Sequence, residues 1–280
     1  MQTTGMLLVA AAALVWSSGG LIARLVATDP WTTTFWRCFF SATFLTAVVA
    51  VMERRGPLAQ WRGIGWPGAA VALCLATAST FFILSLSRTS VANTLILMSV
   101  GPWVAGALGW LVLGERVSPT TWVTMAVAVA GVAVMVSGSF GAGRLTGDVL
   151  AVLMATVFAI GTVLVRRHPE IRMTPAASLA AAIACLAALP MASPLGTAPR
   201  DLALLAFFGI GQFAAGFLLF TAGARLIPVA ETSLIGMLET VLGPFWVWLV
   251  LGEAPGMATI AGGAIIMAAL AVHTATRASA

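Results

Sequence analysis

Long apolar runs, each about the length of a bilayer crossing, alternate along the chain with short breaks rich in Pro, Gly, Arg and Asp. Hydropathy predicts helices at about 6–26, 31–51, 64–86, 90–113 and 119–138, then 146–165, 174–191, 202–222, 229–251 and 256–273. The breaks carry stop signals at Asp29-Pro30, Gly56-Pro57, Ser118-Pro119, His168-Pro169, Ala198-Pro199 and Ala254-Pro255. A hydrocarbon core takes roughly 20 apolar residues as a helix. Lipid offers backbone groups no partner, so each crossing must satisfy its own hydrogen bonds, and these runs are too long for barrel strands. The pattern predicts an all-α polytopic membrane protein with ten transmembrane helices. No Lys or Arg precedes the first run and Arg24 interrupts its far end, which reads as a retained span rather than a cleaved signal peptide.

Composition sharpens this picture. Of 280 residues, 60% are hydrophobic and 8% charged, where a soluble domain carries about a quarter charged residues. Ten spans use about 200 residues and leave about 80 for everything else, so no separate soluble catalytic domain fits. All 14 basic residues are Arg, scattered singly or in pairs; that distribution argues against nucleic acid and for loop charges that set orientation. If every span crosses once, Arg54, Arg55, Arg62, Arg116, Arg166, Arg167, Arg172, Arg225 and Arg277 share one side. Arg88, Arg144 and Arg200 fall on the other, with Arg24 and Arg37 within span ends. This asymmetry predicts a cytoplasmic-membrane protein with both termini in the cytoplasm. Cys38, Cys74 and Cys185 lie within apolar runs without CxxC or Cys/His spacing, and His168 and His273 sit outside or at the ends of spans. Neither a disulfide framework nor a metal site is expected.

Residues 91–115 and 229–253 align without a gap at an offset of 138, sharing Val-Ala and Thr at the start and Trp-Leu-Val-Leu-Gly-Glu at the end. Each copy occupies the fourth helix of a five-helix half, the halves being residues 1–140 and 141–280. Five is odd, so the second half must enter the membrane upside down. An inverted-topology repeat with a site near the midplane is a recurrent plan of secondary transporters.

The residues that carry a family likeness are the Trp16 region, Pro30 followed by Arg37, and the Gly-Glu pairs Gly114-Glu115 and Gly252-Glu253. A proline within each fourth helix, Pro102 and Pro244, adds to them. Together, in ten spans with a duplicated half, they resemble the EamA-type transporters of the drug/metabolite transporter superfamily, and within it the YddG-like exporters of aromatic amino acids. The resemblance implies two inverted five-helix halves around a central cavity and export by alternating access. It also implies that the first, third, fourth, sixth, eighth and ninth helices line the cavity, with the fifth and tenth outside. At the repeat offset the two prolines do not align, which predicts bends one helical turn apart.

Glu239 lies roughly 15 Å into the ninth helix. An acid at that depth costs on the order of 3 kcal/mol on insertion scales and should face the protein interior. It reads as a contact for a substrate amine or a proton acceptor, against a protonated carboxyl bonded to a neighbouring helix. Glu231 and its repeat partner Asn93 sit near opposite entrances; paired gates compete there with ordinary stabilisation of a helix start. Arg37 is explained by snorkelling or by pairing with Asp29. Glu115 and Glu253 follow glycines and read as marks of helix termination and inter-helix pairing.

Trp16, with Ser17 beside it, is a ring flanked by small groups, suited to stacking on a planar solute or to packing between helices. Phe158 takes the corresponding place in the second half. Thr77 and Thr80 share a face of the third helix with Phe81 following, and Gln212 interrupts the eighth helix; such groups bond helix to helix or reach a cavity. Met98 joins them as a cavity candidate. Gly101-Pro102 and Gly243-Pro244 are candidate hinges, or static kinks. Ala126-xxx-Ala130 and Ala258-xxx-Gly262 read as close-packing patterns on the fifth and tenth helices.

A cavity poor in fixed charge suits neutral metabolites such as amino acids, or broad efflux of hydrophobic or cationic compounds, better than phosphorylated cargo. The chain has no HExxH, Gly-x-Ser-x-Gly or central His, and Glu231 and Glu239 lie about 12 Å apart along one helix, too far for a shared-proton dyad. An intramembrane enzyme is therefore disfavoured. Without a Walker A loop, energy must come from solute or ion gradients, and no cofactor is implied. The expected partners are a small-molecule solute and the lipid bilayer.

Overall fold

The computed structural model describes residues 2–54, 56–89, 94, 97, 98, 100–137, 145–169, 173–252 and 256–278. Asn93, Arg144 and Glu253 lie outside the described residues. The helices are α1 (Gln2–Trp16), α2 (Gly19–Leu25), α3 (Pro30–Glu53), α4 (Pro57–Arg62), α5 (Gly65–Arg88), α6 (Gly101–Leu113) and α7 (Pro119–Ser137). The second half supplies α8 (Leu145–Arg167), α9 (Thr174–Ala188), α10 (Pro199–Phe207), α11 (Ala215–Ala224), α12 (Val229–Gly236), α13 (Leu238–Leu251) and α14 (Met257–Ala278). Among the described residues, seven segments are long and apolar enough to cross a membrane: Gln2–Leu25, Pro30–Val51, Gly65–Arg88, Leu145–Arg167, Thr174–Met191, Pro199–Ala224 and Val229–Leu251. Gly101–Leu113, Pro119–Val134 and Ile260–His273 are shorter apolar helices.

Local chemistry explains where these helices start and stop. Asp29 Oδ1 accepts from the backbone N–H groups of Trp31 (2.9 Å) and Thr32 (3.0 Å), with Pro30 at the first helical position of α3. Desolvation raises the Asp29 carboxyl, but these hydrogen bonds outweigh it and hold the group below its ordinary value. Asp29 is thus a helix cap and not the partner of Arg37 that the sequence suggests. Gly114 (φ +68°) and Gly252 (φ +70°) end α6 and α13 in the left-handed conformation. The duplicated Gly-Glu is therefore a duplicated helix terminus.

Among the described residues, three of the predicted spans are interrupted. The first, expected as one helix over 6–26, breaks between α1 and α2. There Ser17 Oγ donates to Leu14 O (2.6 Å) and Ser18 Oγ to Val15 O (2.8 Å), drawing the backbone out of helical register. The eighth span contains a π-helical stretch, Phe208–Ala214, around Gln212; such bulges recur at functional sites. Its Gly209 lies so close to the Arg37 carbonyl oxygen that a Cβ there would clash with α3. The ninth span breaks at Met237 between α12 and α13, while α13 runs through Gly243-Pro244. The break therefore precedes the candidate hinge by almost two turns. In the first half α6 opens at Gly101 with Pro102 in its first turn. At the repeat offset Gly101 corresponds to Glu239, next to Leu238 where α13 opens, so the two breaks lie at nearly the same level and not one turn apart.

The halves pack by exchange. α1 lies on α11 and α8 on α5; α3 lies on α9, α7 on α14, and α6 on α12. Small residues allow the closest approaches. A Cβ on Gly223 would lie 2.7 Å from Gly5 O, and one on Gly5 would lie 2.8 Å from Leu226 Cβ. In the mirror position a Cβ on Gly147 would lie 2.9 Å from Arg88 C, and Ser85 Oγ donates to Gly147 O (2.9 Å). Gly19 abuts Gln212, and Gly161 abuts Cys74. The two pairs of contacts correspond at one constant offset for the first helices and at the repeat offset of 138 for the third. The α9 face toward α3 and α5 is buried alanine, Ala176, Ala177, Ala180, Ala181, Ala184 and Ala188, which lets backbones approach in the manner of membrane helix pairs. On α7 the packing face differs from the expected pattern. Ala126 and Ala130 point outward, while Met125, Ala128 and Val132 are buried and Gly131 meets Gly262 O.

Gly223→Ala should destabilise the protein by about 1–3 kcal/mol, because a backbone oxygen must yield to the new methyl. Gly20→Ala, where a Cβ meets nothing within 4 Å, should be neutral or mildly stabilising. Thermal unfolding of the detergent-purified variants checks this; equal midpoints for both would contradict the close-approach reading.

Candidate functional site

A cavity of about 160 Å³ lies where the breaks in the helices converge. That is below the roughly 300–1,000 Å³ of drug-sized sites, and matches a small solute. Its walls come from both halves. α1, α3, α5 and α6 face α8, the π-helical stretch, α11, α12 and α13. Of the predicted candidates, Trp16, Met98, Phe158, Gln212 and Glu239 line it, as do Gly101 and Pro102.

The aromatic wall is built by the repeat. Trp16, the last residue of α1, meets Phe158 edge-on at 5.8 Å between centroids and Phe220 at 5.1 Å; Phe158 and Phe220 are 5.2 Å apart. The indole fits because Gly216 leaves no side chain where it packs. Gln212 Nε2 donates to Trp16 O (2.9 Å), satisfying a carbonyl that the break in the first span exposes. Gln212 therefore reaches the cavity and braces the break together.

Other candidates fall elsewhere. Ser17 is buried beside the cavity, accepts from Trp246 Nε1 (2.7 Å), and does not line it. Thr77, Thr80 and Phe81 also miss it; Thr80 Oγ1 turns back to Ala76 O (2.9 Å). The third-helix face that does line it is Leu75, Ala78, Ser79 and Phe82, a helical i, i+3, i+4, i+7 stripe legible in the sequence. Gly243 does not line it either.

The residue missed is Arg37. It does not snorkel to the headgroups: it is only 2% exposed and lines the cavity. Its Nη2 donates to Ser79 O (3.1 Å) and, through a very short bond, to Ser79 Oγ. The guanidinium carbon sits 5.0 Å from the Phe208 ring centroid and 5.3 Å from that of Phe213. The cavity thus holds a cation and, in Glu239, an acid, and these two do not pair with each other. A charge-poor cavity was expected; the structure corrects this, because the Arg37 side chain turns inward and lines the cavity. No group of three or more metal-ligating side chains occurs among the described residues.

A second pocket lies at the end of α6 and collects Glu115, Arg166 and Glu231. Arg166 Nε pairs with Glu115 Oε1 (2.9 Å) and its Nη1 donates to Arg225 O (2.5 Å), while Glu115 Oε2 accepts from Val229 N (3.1 Å). Glu115 therefore ties the ends of α6 and α8 to the start of α12. Glu231, buried at 1% exposure, belongs to this cluster and accepts from Gln2 Nε2 at 3.4 Å.

The sequence pattern of the EamA-like transporter family matches residues 3–137 and again 145–275. The chain is 26% identical over 215 residues to the uncharacterized transporter YwfM of Bacillus subtilis (strain 168), covering 73% of this chain and 71% of that protein. A solved structure described only as a crystal structure of a protein superposes with a TM-score of 0.84 at 19% identity, covering 99% of both chains; it supports the fold alone. The chain belongs to the EamA-like transporter family. It is accordingly a multi-pass membrane transporter of the drug/metabolite type.

Removing Glu115 strands the Arg166 guanidinium and the Val229 N–H together, so Glu115→Ala should cost about 1–3 kcal/mol. Glu115→Gln, which keeps an acceptor, should cost less. Melting curves of the two variants measure this, and indistinguishable midpoints would mean that the carboxylate does not tie these ends.

Proposed function

We infer that this family member is a secondary transporter that exports small, mostly neutral metabolites, amino acids with aromatic or hydrophobic side chains among them, by alternating access. The observation that carries the reading is the aromatic cavity formed jointly by the two halves, with Trp16 and Phe158 as repeat counterparts. A ring wall of this kind takes apolar side chains, as the exporters of aromatic amino acids that the sequence resembles must do. The cavity's volume favours single metabolites over larger cargo.

In this reading the chain crosses the cytoplasmic membrane ten times, with both termini in the cytoplasm, as two inverted halves divided near residue 140. The exchanged packing of first and third helices supports a two-fold relation between the halves. With five crossings per half, that relation inverts one against the other. Inversion gives alternating access a structural basis: each contact on one face has a counterpart on the other. Glu115 and Arg166 close one end. Carried through the repeat, at the offset of the fourth helices for the acid and of the first helices for the base, their counterparts are Glu253 and Arg24.

A second reading, efflux of hydrophobic cations, draws on Glu239 beside the aromatic rings, since ring faces attract cations. Arg37 in the same cavity opposes it.

Protein reconstituted in liposomes should exchange radiolabelled phenylalanine, methionine or threonine above the level of protein-free liposomes. No solute flux above that level rejects the transporter reading. Glu239→Gln should lower exchange at least tenfold at unchanged expression and fold; wild-type exchange in this variant would take Glu239 out of the mechanism.

A further inference from the structure

We propose that Arg37 is the carboxylate receptor of the cavity and that, with Glu239, it selects α-amino acids, the zwitterion lying between the two charges. The inference rests on the amino-acid reading above and adds the recognition chemistry.

The starting observation is an imbalance. A guanidinium offers five N–H donors in a rigid fork. Here one nitrogen, Nη2, is engaged on Ser79. Among the described residues the buried Nε has no hydrogen-bond partner and Arg37 makes no ion pair. Leaving a buried cation without an anion is costly, far more so than leaving a neutral polar group. Intramembrane arginines are accordingly rare and mark solute or ion pathways. An arginine this close to a membrane surface has an inexpensive alternative in snorkelling, yet Arg37 turns inward.

Its surroundings orient it and leave it open. Ser79 fixes one edge of the fork. The Phe208 and Phe213 rings hold the guanidinium by cation–π contact without neutralising it. What remains is the Nη1 amino group of a cation that lines the cavity, and its natural complement is an anionic oxygen such as that of a carboxylate. A phosphate would match the donors too, but it would bring a second negative charge into a cavity that also holds Glu239.

Glu239 supplies the other half. It lines the same cavity at the start of α13, where the ninth span is broken, and forms no ion pair with Arg37. Two opposite charges held apart in a low-dielectric space attract a molecule that carries both signs. An α-amino acid places an ammonium and a carboxylate on one carbon and leaves its side chain free for the Trp16, Phe158 and Phe220 rings. An amine without a carboxylate leaves Arg37 unpaired; an acid without an amine leaves Glu239 unpaired. Either loss removes a charge-assisted hydrogen bond, worth about 1.5–3 kcal/mol, or a factor of about 10 to 150 in affinity.

The test is competition against radiolabelled phenylalanine counterflow in liposomes containing the full-length protein. Unlabelled phenylalanine, phenethylamine (no carboxylate) and 3-phenylpropionate (no amine) serve as competitors. In the wild type, phenylalanine should compete at least tenfold better than either congener. In Arg37→Gln the advantage of phenylalanine over phenethylamine should disappear, and in Glu239→Gln the advantage over 3-phenylpropionate. If phenethylamine matches phenylalanine in the wild type while counterflow proceeds, the carboxylate-receptor role is overturned and the transporter reading stands. If phenylalanine, methionine and threonine all give no counterflow, the transporter reading itself falls, and this inference with it. The wild-type congener series decides the matter even if Arg37→Gln fails to fold. Arg37→Lys, which keeps the charge, should then retain a preference for phenylalanine over phenethylamine; complete loss of that preference in a folded Arg37→Lys protein would contradict recognition by a charge-assisted bond.

Discussion

The close approach of the first helix of each half to the third helix of the other is the contact on which the rest depends. Gly5 and Gly223 bring α1 against α11, and Gly147 with Ser85 brings α8 against α5. In a membrane the hydrophobic effect does not press helices together, so backbone proximity and dispersion must do so. Trp16 and Phe158 project into the cavity from equivalent positions on these helices. Swapping the first helices ties the halves to one another while giving each a share of the same wall.

Polarity in this protein is concentrated where helices break. The first span breaks at Ser17–Ser18, the eighth contains a π-helical stretch at Gln212, and the ninth breaks at Met237 just before Glu239. Irregular backbone at membrane depth is tolerated where it lines a cavity. Gln212 shows how: its side chain satisfies the Trp16 carbonyl freed by the neighbouring break. Arg37 and Glu239 add charge to the same cavity. Each is costly in isolation, and a solute bearing the opposite sign at the right place offsets the cost only while it is bound. Binding strength and charge placement are thereby coupled, the condition for a site that must both hold and release its cargo.

Much of this was legible in the sequence, for local reasons. Apolar runs of bilayer length, Pro at helix starts and Gly-Glu at helix ends are signals that neighbouring residues settle among themselves. The pairing of Trp16 with Phe158 was legible through the repeat. What was not legible depends on rotation about a helix axis. Arg37 is two turns into its helix, a distance compatible with a headgroup or a cavity; the rotation of α3 that puts its side chain in the cavity is not set by its neighbours in sequence. Thr77 and Thr80 attracted notice as hydroxyls, yet Thr80 satisfies itself on its own helix and Ser79 beside it holds the cation. Ala126 and Ala130 had the right spacing on the outward side. The break at Met237 carries no proline, so composition alone placed it at Gly243-Pro244 instead.

An inverted pair of halves puts residues at equivalent repeat positions on opposite faces of the membrane, and this consequence is directly measurable. With Cys38, Cys74 and Cys185 replaced by serine, single cysteines can be placed at Arg116 and at its repeat equivalent, Ala254. Each can then be labelled with a membrane-impermeant maleimide in right-side-out and inside-out vesicles. Inversion predicts that Arg116→Cys reacts only in inside-out vesicles and Ala254→Cys only in right-side-out ones. Labelling of both from the same face would contradict it.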